Sequence, residues 1–331
     1  MSTYFSDIAF SPSSTIRHFS LARHALIEAF SMLQLKPGDK VLMPEYVCRD
    51  LLASLCQFGL QPVWYSVDRN LVPVSDPINW PDAKAALAIN YFGFPQPLTP
   101  FDKYAQRTGA TIIEDNAHGL LSRDQEGALL GTRTSLGLFS YRKTFLIGRG
   151  AGLLVNCQEL KLQIREQLSN SLLEMPLAVR VRRSLYWMFG SRAPAYVVAQ
   201  SIRKFRKWQG KSEIPLPDVN AERELPGIAN PDAFMLSVLN EQDLESEKQR
   251  RRCLYKKLSI KAQEIGLQVV YPELPKHTIP YGLPVRGDDV SAIAHLAADE
   301  QLDFFKWPDL PDEVASHAPS HYCDLYLINF L

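Results

Sequence analysis

The sequence predicts an α/β protein: a mostly parallel central sheet with helices on both faces, followed by a smaller α+β C-terminal domain. Three observations carry this. Between residues 20 and 156, apolar runs of strand length alternate with helical patterns. Beyond residue 266 the strands become short and mix with one further helix. The chain of 331 residues, 46% hydrophobic, has ample apolar side chain for a large core. The expected division is 1–225 for the larger unit and 226–331 for the smaller.

The elements follow in order. Residues 20–34, SLARHALIEAFSMLQ, space their apolar side chains as a helix does. KPGDKVLMPEY reads as a turn and then a strand, and residues 49–59 as a helix stopping at Gly59. QPVWYSV and AALAINYFG are strands, PFDKYAQRTG a helix, and ATIIED, SLGLFSY and AGLLVN three further strands. Residues 157–215 form a basic, helical insertion. NPDAFMLSVLNEQDLESEKQRRRCLYKKLSIKAQEIG reads as one long helix, and another lies near 289–299. The chain ends in LYLINFL, a strand-like run at which domains seldom stop, so the C-terminal domain is expected to be truncated.

Composition removes several classes of function. Lys plus Arg equals Asp plus Glu at 36 each, so no global field favours nucleic acid. Five cysteines lack metal or CxxC spacing and read as reduced thiols of a cytoplasmic protein, with no metal site expected. MSTYFSDIAFSPSS has no signal-peptide pattern. No apolar run approaches the ~20 residues needed to span a bilayer.

The chemistry is concentrated at strand ends. In ATIIEDNAHGLLS an apolar run leads straight into Glu114, Asp115, Asn116 and His118. Asp115 closes one strand and Ser140 closes another. Lys143 follows three residues later, before the glycine-rich GRGAG. GRGAG has the glycines of a dinucleotide loop, but a strand follows it rather than a helix, which excludes that reading. A strand-end Asp followed by a Lys some 25–30 residues on suits a pyridoxal phosphate (PLP) enzyme. There the Lys forms the Schiff base and the Asp keeps the pyridine nitrogen protonated. Ser140 and the start of the 20–34 helix are candidate phosphate donors.

These segments, with LKPGDKVLMPEYVC, QFGLQPVWYSVD, INYFGFP and the QRRRCLYKKL helix, resemble the DegT/DnrJ/StrS family of PLP-dependent sugar aminotransferases. The resemblance implies the fold-type I architecture of aspartate aminotransferase. It also implies a homodimer with the cofactor pocket at the subunit interface. By that likeness Asp115 contacts the pyridine nitrogen, His118 lies by the phenolic oxygen, Ser140 contacts the phosphate and Lys143 carries the cofactor. LARHAL falls on the family's phosphate loop, with Arg23 and His24 on its Thr and Ala positions. An Arg can bind phosphate bidentately in place of a hydroxyl. Cys48 falls where the family often stacks an aromatic residue on the ring, with Tyr46 two residues earlier. The Ser-to-Lys spacing is two residues shorter than usual, and Arg149 stands at the usual acid of the Gly-Glu-Gly-Gly stretch.

The implied activity is transfer of an amino group, from a donor such as glutamate, to a keto sugar, nucleotide-linked, for polysaccharide or secondary-metabolite synthesis. A sugar dehydratase of the same fold would usually carry His where Lys143 stands. A non-catalytic binding or regulatory member is the third reading. The insertion carries eleven basic residues against three acidic ones between 157 and 212. RVRRSLYWMFG and SIRKFRKWQGK set arginines and lysines beside aromatic residues. That composition suits a solvated helix packed on the protein, peripheral contact with an anionic membrane, or contact with a substrate diphosphate.

Overall fold

The computed structural model describes residues 14–164, 193–210, 220–231 and 233–331, with helical positions at 177, 180–181, 184–185 and 188. Its larger sheet has seven strands in the order β1-β7-β6-β5-β4-β2-β3. These are β1 (Thr15–Phe19), β2 (Lys40–Pro44), β3 (Gln61–Tyr65), β4 (Ala85–Ile89), β5 (Thr111–Asp115), β6 (Leu136–Ser140) and β7 (Ala151–Val155). β3, β2, β4, β5 and β6 run parallel; β7 is antiparallel to β6, and β1, antiparallel to β7, ends the sheet in the direction of the other five. The helices α1 (Ala22–Met32), α2 (Leu52–Phe58) and α3 (Thr99–Thr108) connect strands in this part of the chain. The residues of β4, AALAI, are all buried, as expected for a central parallel strand covered on both faces.

Every strand expected from the apolar runs is present. Two features depart from the sequence pattern. β1 has no clear signal: TIRHF alternates weakly, and its Arg17 is buried and paired with Glu28 on α1 at 3.4 Å. The single long helix expected after residue 231 is two helices. Counting the short α4 (Gln158–Lys161) and α5 (Ala193–Trp208), these are α6 (Ala233–Asn240) and α7 (Leu244–Glu264). The break has a local cause. Asp243 caps α7 by accepting the Ser246 N–H at 3.2 Å, which starts a new helix instead of continuing the old one. Gly59 closes α2 at φ +74°, as its position predicts.

The smaller sheet is antiparallel, in the order β10-β11-β9-β8. Its strands are β8 (Gln268–Val269), β9 (Gly282–Arg286), β10 (Asp303–Lys306) and β11 (Leu325–Asn329), with α8 (Val290–Asp299) leading into β10. The apolar terminal run is therefore an interior strand, paired on one side with β10 and on the other with β9.

Of the basic insertion, much of RVRRSLYWMFG, including Tyr186, Trp187 and Phe189, lies outside the described residues. On α5, Arg203 pairs with Asp303 at 3.0 Å, while Phe205 and Trp208 stack on each other and stay exposed. No helix among the described residues is long and apolar enough to cross a membrane.

Candidate active site

In a parallel sheet, ligands sit beyond the carboxyl ends of the strands where the strand order reverses. Here the reversal lies between β2 and β4: β3 is laid outside β2, and the chain then crosses back to start β4. A cleft with about 670 Å³ of space free of protein atoms opens there. The register delivers its floor. Ile89, Asp115 and Leu138 are paired neighbours across β4, β5 and β6, and all three line the cleft. Ser140 lies two residues beyond Leu138 and so on the same face. The loop after β2 adds Val47 and Cys48, and the first turn of α1 adds Ala22 and Arg23.

Six of the eight residues singled out in the sequence line this cleft: Arg23, Cys48, Asp115, His118, Ser140 and Lys143. Asp115 is buried. One carboxylate oxygen accepts the Ala117 N–H at 3.0 Å, and no cation lies within ion-pair distance among the described residues. Burial raises its pKa above the ordinary carboxylate value. Lys143 Nζ lies 2.9 Å from His118 Nε2, and burial lowers the lysine's pKa from its usual value. His118 is held between the rings of Phe92 and Tyr281, at centroid distances of 5.6 and 4.8 Å and within 7° of parallel. Burial keeps its imidazole well below the usual range, and a charge on Lys143 would lower it further. Burial also pushes the Cys48 thiol up to about 12, which makes it a neutral wall at physiological pH. Arg23 reaches Asp50 at 3.4 Å.

Tyr46 and His24 are not brought to the cleft. Tyr46 is fully buried, donates its hydroxyl to the Trp307 carbonyl at 2.8 Å and packs against Trp307, Tyr91 and Tyr322. His24 follows Arg23 on α1, and a helix turns about 100° per residue. Its Nε2 therefore faces the Pro226 carbonyl at 3.3 Å, in a second hollow with Arg17 and His18.

Sequence reasoning missed Arg142, Asp50 and Trp307 on the cleft, and Phe92 and Tyr281 around His118. Arg142 had a signal, since it adjoins Lys143. Trp307 and Tyr281 had none, because they arrive from the smaller sheet and its connections. That segment is clipped in place by Tyr46 and by Arg49, whose backbone N–H donates to the Asp309 carbonyl at 2.7 Å and whose guanidinium bonds the Leu310 carbonyl and Asp312.

Residues 18–178 match the family model described as the DegT/DnrJ/EryC1/StrS aminotransferase family. This segment belongs to that family. Solved structures agree on the fold. S. venezuelae DesV, in complex with a ketimine intermediate, superposes with a TM-score of 0.62 at 18% identity, covering 95% of this chain and 79% of that one. Helicobacter pylori PseC, an aminotransferase involved in the biosynthesis of pseudoaminic acid, gives 0.61 at 13% identity, with 95% and 81% covered. A variant of the GDP-4-keto-6-deoxymannose-3-dehydratase ColD with bound GDP-perosamine gives 0.59 at 14% identity, with 95% and 83% covered. The enzyme is thus of the PLP-dependent aminotransferase type, with pyridoxal 5'-phosphate as its cofactor.

The residues present fit that cofactor. A buried carboxylate without a cation faces the cleft, which suits a protonated ring nitrogen. The half-buried amine of Lys143 lines the same cleft. At the other end, the Ser140 hydroxyl, the Arg23 and Arg142 guanidinia and the first turn of α1 make an anion-binding group, since first-turn N–H groups lack intrahelical acceptors.

Proposed function

We propose that the protein aminates a nucleotide-linked keto sugar, taking the amino group from a donor such as glutamate. The observation that carries this reading is the presence, in one cleft, of an unneutralised buried carboxylate and a half-buried amine. PLP, when bound, supplies an electron sink for the carbanion formed at the substrate carbon. Asp115 holds the proton on the ring nitrogen. Ser140, Arg23 and the α1 N-terminus hold the phosphate. With PLP bound, His118 Nε2 would donate to the phenolic oxygen in place of Lys143 Nζ. Lys143 Nζ is the base that removes the proton from the donor's Cα, which asks for an uncharged amine. The low-polarity wall of Cys48, Val47 and Trp307 restricts water around these groups.

A nucleotide-linked substrate is favoured by GDP-perosamine in the related ColD structure. The dehydratase reading is disfavoured by a lysine at 143. On our reading the enzyme is a cytoplasmic homodimer, and the Arg203–Asp303 pair favours an insertion packed on the protein over a membrane-bound one. Incubation with PLP and glutamate, followed by mass spectrometry of a panel of nucleotide-linked keto sugars, tests the activity. A product one amino group richer is expected. Loss of water from the sugar would instead assign a dehydratase, and no conversion of any ketone would return the non-catalytic reading. Sedimentation of an active monomer would contradict the dimer.

A further inference from the structure

The turn after β4 has an unusual backbone. Phe92 lies in the left-handed region at φ +55°, a conformation a bulky residue adopts only when its surroundings impose it. The next residue, Gly93, has φ +92°, and a Cβ there would meet the Ile279 carbonyl oxygen at 2.5 Å. Asn90 at the start of the turn is fixed by Glu114 and Arg133 and accepts the Gln96 N–H at 2.8 Å. The result is that the Phe92 N–H points at His118 Nδ1, 3.2 Å away.

A backbone amide can only donate, so Nδ1 must accept and carries no proton. The remaining proton of the neutral ring is then on Nε2, which faces Lys143 Nζ at 2.9 Å. Two donors cannot share that contact, so the amine must accept, and only an uncharged amine has the lone pair to do so. We propose that the Phe92 amide is a positioning group: it fixes the His118 proton on Nε2 and so holds Lys143 as the free amine. The neighbouring charges agree with this assignment. Burial, the largest influence, and Arg142 oppose a charge on Lys143, Asp115 and Asp50 favour one, and no carboxylate among the described residues lies within ion-pair distance. The stacked rings of Phe92 and Tyr281 keep the imidazole plane from rotating out of line.

The use made of the free amine rests on reading Lys143 as the cofactor lysine, but the test is run on cofactor-free protein and does not depend on it. In histidine-labelled protein, two-bond proton–nitrogen NMR spectra at neutral pH should show His118 as the Nε2–H tautomer, assigned by its loss in His118→Gln. An Nδ1–H tautomer or a charged imidazolium overturns the proposal. A second measurement follows acetylation of the Lys143 peptide by acetic anhydride as a function of pH. Gln can accept from Phe92 and donate to Nζ, so His118→Gln should keep the wild-type midpoint. His118→Phe keeps a ring but neither polar atom, and should move the midpoint up by about one pH unit, equivalent to about tenfold slower labelling at neutral pH. Identical midpoints in the Gln and Phe variants overturn the proposal. If instead both measurements succeed while borohydride reduction with PLP tags another lysine, the positioning holds and the cofactor assignment fails.

Discussion

Glu114 and Asp115 are adjacent acids at the end of β5, yet alternation sends them to opposite faces of the sheet. Glu114 is fully buried and saturated: Arg133 donates to it from Nε, a terminal guanidinium nitrogen and its backbone N–H, and Asn90 Nδ2 adds a bond at 2.8 Å. Asp115, on the cleft face, has the Ala117 N–H and no cation among the described residues. Both are carboxylates withdrawn from water. The first is compensated by the protein's own groups and acts as scaffold. The second is left for a ligand to compensate, which is the condition of a binding group.

The contrast predicts which substitutions damage chemistry and which damage the fold. Lys143→Ala has the largest effect: turnover is abolished, and borohydride reduction no longer tags the peptide that carries Lys143 in the parent enzyme. Asp115→Asn comes next. Activity should fall by about a hundredfold or more, while the cofactor-free protein melts no lower than wild type. The sign follows from burial. A carboxyl whose pKa is raised on folding gives stability that is fully present below its unfolded value of 3.8 and lost as pH rises through the folded value. The Asn variant should therefore melt higher at neutral pH, and the gain should vanish in acid. A melting temperature lowered at neutral pH would put Asp115 with Glu114 as scaffold.

Arg133→Ala tests the other face. It strands a buried carboxylate, so denaturant titration should show a loss of about 3–5 kcal/mol. A loss near zero would dissolve the distinction between the two acids. The smallest effect is expected for Tyr46→Phe, which removes one hydroxyl from the Trp307 carbonyl: about 1 kcal/mol of stability, with cofactor affinity unchanged. A selective loss of cofactor in that variant would return Tyr46 to the site.

What could be read in the sequence was whatever the backbone period controls. Asp115 and Ser140 were legible because a buried strand seldom ends in a polar side chain unless a partner or a ligand meets it there. Lys143 was legible because its order after them narrows the chemistry. The two misplacements, Tyr46 and His24, come from counting along loops and helix starts, where neighbouring residues face different ways. The pattern also hid the cap at Asp243, since the helical spacing continues through it. Phe92, Tyr281 and Trp307 depend on how the smaller sheet and its connections meet the larger one, and no local spacing encodes that.

The interior place of β11 has a consequence for synthesis. A ribosome delivers the large sheet's strands first, since all seven precede residue 156. The smaller sheet is different. β9 and β10 are made earlier but meet only through β11, whose last residue is Asn329. Until that residue clears the exit tunnel, β9 and β10 have no common partner, and the Trp307 wall that lies beside β10 has no finished sheet behind it. A nascent chain stalled short of residue 325 would therefore hold Lys143 in a cleft without a finished sheet behind Trp307.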